Sequence, residues 1–209
     1  MTSNDDLIHS LASAAGARRG ASVRTAFTVA GAASFASALL LVFLVVGIRS
    51  DFADMAVHLP FGFKLAYTVS LAVGTFVVAL YAATPGASAR ALYALSPAAV
   101  FLALGLLVDP TGFPIMGRTD TAVAFCVGSI LFLSLPAMIL MFVVMRQGAP
   151  TQPRFAGAVI GGLAAAVGAM AYMLACKNDG TAFVATWYTA ACAIMAVVGS
   201  AVGHRVLRW

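Results

Sequence analysis

Six long apolar segments, separated by short polar ones, constrain the fold of this chain more than any other feature. A helix needs roughly 20 apolar residues to cross about 30 Å of hydrocarbon. Runs of about this length, free of charged side chains, cover approximately residues 25–48, 65–84, 91–108, 122–145, 156–175 and 182–203. Backbone polar groups in lipid must find their partners within the segment, so such runs form helices. The sequence predicts an all-α bundle of six transmembrane helices.

The composition excludes a soluble protein and several classes of function. Of the 209 residues, 62% are hydrophobic and 9% are charged, whereas a soluble domain carries about a quarter charged residues. The net charge of +5 is scattered along the chain, so we expect no direct contact with nucleic acid. No catalytic triad, carboxylate pair or phosphate-binding loop stands in a plausible context, so we expect neither an enzyme nor a cofactor.

Basic residues in the connecting segments predict the orientation of the bundle. With a cytoplasmic N-terminus, eight Lys and Arg residues lie inside and four outside, and cytoplasmic loops carry the excess of positive charge. The inner group is Arg18, Arg19, Arg24, Arg90, Arg146, Arg154, Arg205 and Arg208; the outer group is Arg49, Lys64, Arg118 and Lys177. We therefore predict a cytoplasmic tail (1–24), a transmembrane domain (25–203) and a cytoplasmic C-terminal end (204–209).

The predicted spans contain no Asp, Lys, Arg or His, although such residues mark most transport pathways in membranes. This weakens the alternative that the chain is a small transporter or channel for metal ions. A structural membrane subunit is a further alternative. Glycines at four-residue spacing, Gly157 with Gly161 and Gly199 with Gly203, favour close helix packing inside the bundle. A homodimer interface is the other interpretation of these glycines.

The N-terminal segment has the pattern of a short amphipathic helix. Ser3 is followed three residues later by Asp6, as in a capping box, and Leu7, Ile8 and Leu11 then recur at helical spacing. So short a helix is marginal alone in water and is ordered best in the groove of a partner. A frayed tail or one lying on the membrane is the alternative.

Two cysteines are expected near the outer surface in this orientation. Cys126 lies near the outer end of the fourth run and Cys176 at the outer end of the fifth. Oxidants and soft metals reach that surface first, but sequence alone leaves open whether the two thiols come close enough to react. His58 in the first outer loop is a possible auxiliary ligand or simply a solvated side chain, and Cys192 is expected to be a small buried hydrophobe.

Several short motifs resemble the NrsF-type family of membrane anti-sigma factors, the negative regulators of sigma factor F. The similarity covers almost the whole chain. The matching segments are residues 5–8 with Leu11, Cys126 with 133–136, 150–154 with 156–157, Cys176, 187–188 and 203–209. Ala137 and His204 stand where the family has proline and arginine, and neither position touches the cysteines or the N-terminal motif.

The resemblance implies a multi-pass protein of the bacterial inner membrane that sequesters an extracytoplasmic-function sigma factor. Release would follow a stress signal such as a heavy metal or an oxidant. The resemblance also implies that Cys126 and Cys176 take part in redox or metal sensing. The expected sigma-binding residues are Asp5, Asp6, Leu7, Ile8 and Leu11, and the expected partners are the sigma factor and the lipid bilayer.

Overall fold

The computed structural model describes residues 6, 8, 9, 22–84, 89–117, 123–148 and 150–207. Within these residues the chain forms seven α-helices and no strand, which confirms the all-α prediction. The helices are α1 (Val23–Leu41), α2 (Phe52–Met55), α3 (Leu59–Ala82), α4 (Ser96–Leu107), α5 (Val123–Met145), α6 (Pro153–Tyr172) and α7 (Thr181–Val206). A π-helical turn, Val42–Val46, extends α1, and a 3-10 helix, Ala89–Leu95, precedes α4.

Six of these helical segments are long and apolar enough to cross a membrane. They are Val23–Val46, Leu59–Ala82, Arg90–Leu107, Val123–Met145, Pro153–Tyr172 and Thr181–Val206. Each coincides with one of the six predicted runs, so the predicted number of spans is confirmed. The short helix α2 lies between the first two spans. This is the architecture of a multi-pass membrane protein.

The second span begins six residues earlier than predicted, which changes the position of Lys64. Pro60 stands in the first turn of α3, where a proline is favourable because its missing N–H has no helical partner to lose. The helix therefore includes Lys64, whose side chain is fully buried. The prediction that no charged residue lies within a span is wrong at this position. The terminal turns of the observed spans also hold basic residues that the prediction placed outside them: Arg24, Arg90, Arg154, His204 and Arg205.

Helix α6 lies at the centre of the bundle and contacts α1, α3, α5 and α7. Lipid provides no hydrophobic driving force between helices, so close packing of small residues takes its place. A methyl group added to Gly157 would overlap the carbonyl oxygen of Gly199, and one added to Gly161 would overlap that of Met195. The backbones of α6 and α7 are thus in direct contact, and the predicted packing of these glycines inside the bundle is confirmed.

Substitution of Gly161 by alanine is expected to lower the free energy of unfolding by about 1 to 3 kcal/mol, because α7 must move away from α6. The matched control is Gly162→Ala, one residue further on in α6. A methyl group there would meet only the Thr75 Cγ2 atom, at 3.9 Å, so we expect no loss of stability. Thermal unfolding of the two variants in detergent measures the difference; equal stability would contradict a close contact at Gly161.

The two ends of the bundle differ in character. Gly47, with a φ of +83°, closes the π-helical turn after α1, and the Arg49 N–H then donates to the Leu174 carbonyl, which follows α6, at 3.1 Å. We call this end, which also holds Cys126 and Cys176, the thiol end. The opposite end, where α6 begins and α7 ends, is called the basic end.

Candidate functional site

Two thiols lie side by side at the thiol end. Cys126 is in the first turn of α5, and Cys176 follows the last turn of α6. Their Sγ atoms are 3.9 Å apart, and both side chains are buried. The two cysteines are not joined by a disulfide bond. A disulfide has an S–S length of about 2.05 Å, so the sulfurs must approach by roughly 1.9 Å to form one. The sequence placed both thiols near one surface, and the structure brings them into contact.

Neighbouring polar groups hold Cys126 and Cys176 in this arrangement. The Tyr172 hydroxyl donates to the Cys126 Sγ at 3.5 Å, and the Asn178 side-chain amide donates to the same sulfur at 3.7 Å. The Cys176 thiol donates to the Asn178 carbonyl at 3.8 Å. Two residues, Tyr172 at the end of α6 and Asn178 in the following loop, therefore fix the position of the pair.

A buried ion cluster, formed by Arg49, Asp51, Lys64 and Asp179, holds the backbone at Cys176. The Lys64 ammonium donates to the Cys176 carbonyl at 3.0 Å, and the Arg49 guanidinium donates to the same oxygen at 3.1 Å. Asp179 joins the two cations, because its carboxylate accepts from Arg49 at 2.7 Å and from Lys64 at 3.2 Å. Asp51, whose side chain is half-exposed, forms an ion pair with Arg49 at 2.8 Å. The loop that carries Cys176 is therefore attached to α3 and to the segment after α1.

Hydrogen bonds and nearby charges at the thiol end favour the charged forms of Arg49, Asp51 and Cys176. Hydrogen bonds to Asp51 and Asp179 raise the pKa of Arg49, although burial acts to lower it. The Arg49 guanidinium in turn lowers the pKa of Asp51. The hydrogen bond from the Cys126 thiol lowers the pKa of Cys176; burial opposes this, and the nearby Lys64 ammonium adds to the lowering. Of the two sulfurs, Cys176 is thus the one favoured as the thiolate, the nucleophilic and metal-binding form of cysteine.

Sequence reasoning missed the ion cluster, because it assigned Lys64 to an outer loop, whereas Lys64 lies within α3. One signal was available. Five apolar or helix-compatible residues, 59–63, precede Lys64, so the apolar run can be read through it. A lysine inside a span needs a partner, and Asp179 is the acidic residue of the loop that faces it.

Two further polar groups line the thiol end. The Tyr188 hydroxyl is buried near Cys176. The Lys64 ammonium lies 5.7 Å from the centre of the Tyr188 ring. Asp109 accepts from the Thr181 hydroxyl at 2.7 Å, which ties the segment after α4 to the start of α7. Burial acts to raise the pKa of Asp109, but hydrogen bonds from Thr111 and Thr181 outweigh it, and the pKa is lowered.

The other predicted residues of the transmembrane domain, His58 and Cys192, lie apart from the thiol pair. His58 is exposed at the residue before α3, and no group of three or more potential metal ligands occurs among the described residues. An auxiliary role for His58 stays a prediction. Cys192 is buried in a cluster of small and apolar side chains from α3, α6 and α7, as expected for a packing residue.

The predicted sigma-binding segment is described only at three positions. Asp6, Ile8 and His9 are helical and exposed. Asp5, Leu7 and Leu11 lie outside the described residues. The helical state of residues 6, 8 and 9 agrees with the predicted amphipathic helix, and the apolar side chain of Ile8 is 61% exposed.

Comparison with known proteins identifies the family. A family model described as the negative regulator of sigma F, NrsF, matches residues 11–209. The chain belongs to the NrsF family. A protein of Azospira oryzae named probable anti-sigma-F factor NrsF is 32% identical over 212 residues, which cover 98% of this chain and 99% of that protein. The anti-sigma-F factor NrsF of Caulobacter vibrioides is 31% identical over 215 residues, with the same coverage.

No solved structure matches this chain. The NrsF family match confirms the resemblance drawn from the short motifs, and a family of negative regulators is not one of enzymes, as predicted. Together the two thiols allow two kinds of chemistry. They can lose two electrons to an oxidant and form a disulfide, or they can bind a soft metal ion between two sulfurs.

Proposed function

We propose that this chain is an anti-sigma factor that holds an extracytoplasmic-function sigma factor at the cytoplasmic face of the bacterial inner membrane. Oxidation of Cys126 and Cys176, or their capture of a thiophilic metal ion, releases the sigma factor. The observation that carries the proposal is membership of the NrsF family over residues 11–209, together with the 3.9 Å separation of the two thiols. Both relatives with near-complete coverage are named as anti-sigma-F factors.

The distribution of basic residues supports a cytoplasmic basic end. Arg154 and Arg205 are exposed there, whereas Arg49 and Lys64 at the thiol end are buried in ion pairs. Cytoplasmic segments carry the excess of Lys and Arg, so this favours a thiol end facing the periplasm. Oxidants and metals entering from outside then reach the cysteines first. Because α1 begins at the basic end, the N-terminal tail that precedes it is on the cytoplasmic side.

In this proposal the tail binds the sigma factor through two kinds of contact. Asp5 and Asp6 meet a basic surface, and Leu7, Ile8 and Leu11 fill an apolar groove, as in other helix-in-groove complexes. Asp6 and Ile8, one acidic and one apolar, are both helical and exposed, which supports contact of each with a partner.

The hydrogen bonds of Arg49 offer a route from the thiols to the tail. Arg49 contacts the Cys176 carbonyl through its side chain and the Leu174 carbonyl through its backbone. It follows directly after the helical segment Val23–Val46, whose other end leads to the tail. A displacement of Cys176 therefore shifts α1 as a unit. To release the sigma factor, the two arrangements must differ in their affinity for it by about 1 to 3 kcal/mol.

The redox version of the signal has a defined balance. The Cys176 thiolate attacks a peroxide, and hydroxide leaves as the sulfur becomes a sulfenic acid. The Cys126 thiol then attacks that sulfur, which forms the disulfide and releases water. Two thiols and one peroxide thus give one disulfide and two waters. In the metal version, both thiols lose their protons and bind the cation.

Deletion of residues 1–12 is expected to abolish capture of the cognate sigma factor in a pull-down with the full-length protein in detergent. The apolar residues Leu7, Ile8 and Leu11 supply the groove contacts, so their combined replacement by alanine should weaken binding at least about a hundredfold. Ser10→Ala with Ser13→Ala is the matched control in the same segment and should bind normally. Undiminished capture by the truncated chain would refute a binding role for the tail.

The buried Lys64 and Asp179 give the transporter alternative one specific observation, since intramembrane charges often mark ion pathways. Asp179, however, forms ion pairs with both Lys64 and Arg49. A flux assay in proteoliposomes distinguishes the two functions: uptake of Cd²⁺ or Zn²⁺ that is lost in Lys64→Met would favour transport. A structural subunit predicts no stable sigma-factor complex.

A further inference from the structure

A groove opens at the basic end between the start of α6 and the last turns of α7. It has a volume of about 410 Å³ and is lined by Arg154, Val197, Ser200, Ala201, His204 and Arg205. The close helix packing creates it. A Cβ atom added to Gly203 would lie 2.6 Å from the Pro153 carbonyl oxygen, so the end of α7 touches the start of α6. Arg154 and Arg205 therefore line one space.

The groove carries positive charge without a counter-ion from the described residues. Neither Arg154 nor Arg205 forms an ion pair there. Of the described acidic residues, four lie at the thiol end or in the segment before α3, and Asp6 lies in the N-terminal segment. The first turn of α6 contains no acidic residue, and Gln152 gives it no side-chain cap. The positive end of the α6 dipole adds to the two guanidinium groups.

The groove continues into an apolar surface along α7. Ile194, Val197, Ala201 and Arg205 follow one another at intervals of three or four residues, which places them on one face of the helix. Ile194 is 43% exposed and Val197 is 71% exposed. Both belong to the span Thr181–Val206, so their exposed surfaces meet acyl chains. A cationic recess and a lipid-facing stripe are thus continuous.

From this continuity we infer that the groove binds an anionic phospholipid, with its phosphate between Arg154 and Arg205 and one acyl chain along Val197 and Ile194. Guanidinium groups bind phosphate oxygens with paired hydrogen bonds. Both arginines lie in terminal helical turns, at the depth of the headgroups. Basic recesses between helices at the cytoplasmic side are suited to such lipids. A free phosphate ion would leave the apolar stripe unused.

The test measures lipid retained by the intact, detergent-purified protein with native mass spectrometry. The protein is mixed with phosphatidylglycerol or with phosphatidylcholine. We expect selective retention of phosphatidylglycerol, and a loss of at least about tenfold in the double variant Arg154→Gln, Arg205→Gln, because charge-assisted hydrogen bonds are removed. The variant Arg154→Lys, Arg205→Lys keeps the charge and should retain part of the binding.

The matched control is Arg24→Gln with Arg146→Gln. These two exposed arginines do not line the groove, and their replacement changes the net charge equally, so it should leave retention unchanged. Equal retention of both lipids would overturn the inference, as would an equal loss in the control pair. Displacement of phosphatidylglycerol by millimolar inorganic phosphate would assign the groove to the free ion and overturn the lipid site.

Discussion

Replacement of Asp179 by asparagine is expected to lower the free energy of unfolding by about 3 to 5 kcal/mol, the usual cost of breaking a buried ion pair. Asp179 is 3% exposed, and it is the carboxylate that Lys64 contacts. Asparagine preserves the size of the side chain but leaves the Lys64 ammonium without an anionic partner among the described residues. Thermal or denaturant unfolding in detergent, followed by tryptophan fluorescence, measures the loss.

The control for this variant is Asp54→Asn in α2. Asp54 is an exposed carboxylate in the segment between the first two spans, so its replacement should change stability by less than about 0.5 kcal/mol. Adding Lys64→Met to Asp179→Asn removes the unpaired ammonium and should restore part of the loss. Equal stability of Asp179→Asn and the wild type would show that the ion cluster contributes nothing to the fold.

The positions of the spans were predictable because lipid restricts the backbone to few solutions. An apolar run must form a helix there, so hydropathy alone located all six spans. The direct contact of α6 with α7 was also predictable from Gly157, Gly161, Gly199 and Gly203, because small residues at four-residue spacing leave room for a neighbouring backbone.

The ion cluster was not predictable in the same way, because charge pairing depends on tertiary contacts. Arg49 and Asp179 are 130 residues apart in the chain, and no local pattern connects them. Treating Lys64 as a loop residue hid the requirement for a partner. Once α3 is extended to Leu59, a buried lysine calls for a carboxylate, and Asp179 becomes a reasonable choice.

The thiol pair was only partly predictable from the sequence. Sequence placed Cys126 and Cys176 at the same end of adjacent spans but did not fix the rotation of either helix. Their 3.9 Å separation depends on how α5 packs against α6 and on the contacts of Tyr172 and Asn178. The family resemblance supplied the expectation that the two cysteines act together, which spacing alone left open.

Replacement of both Cys126 and Cys176 by serine is expected to abolish stress-induced release while leaving resting capture of the sigma factor intact. Serine is close in size but forms neither a disulfide nor a thiophilic metal site. Release is measured as the sigma factor lost from membranes after treatment with peroxide or Cd²⁺. In the wild type we expect treatment to release most of the bound sigma factor. In the double variant we expect no more release than from untreated membranes.

Cys192→Ser is the matched control, because Cys192 is buried in another part of the bundle and makes no hydrogen bond to the pair. It should respond like the wild type. Mass spectrometry then separates the two versions of the signal. A Cys126–Cys176 disulfide after peroxide, reversed by dithiothreitol, identifies oxidation, whereas release by Cd²⁺ that a chelator reverses identifies metal capture.

An unchanged response in the double serine variant would contradict a sensing role for the thiols but would leave tail binding untouched, since the proposed binding segment precedes α1 at the basic end and the thiols lie at the other end. The reverse result is equally informative. If the protein that lacks residues 1–12 no longer binds the sigma factor but its thiols still form a disulfide with peroxide, the two sites are chemically independent. Coupling then rests on α1 and Arg49, and Arg49→Gln should weaken release without preventing disulfide formation.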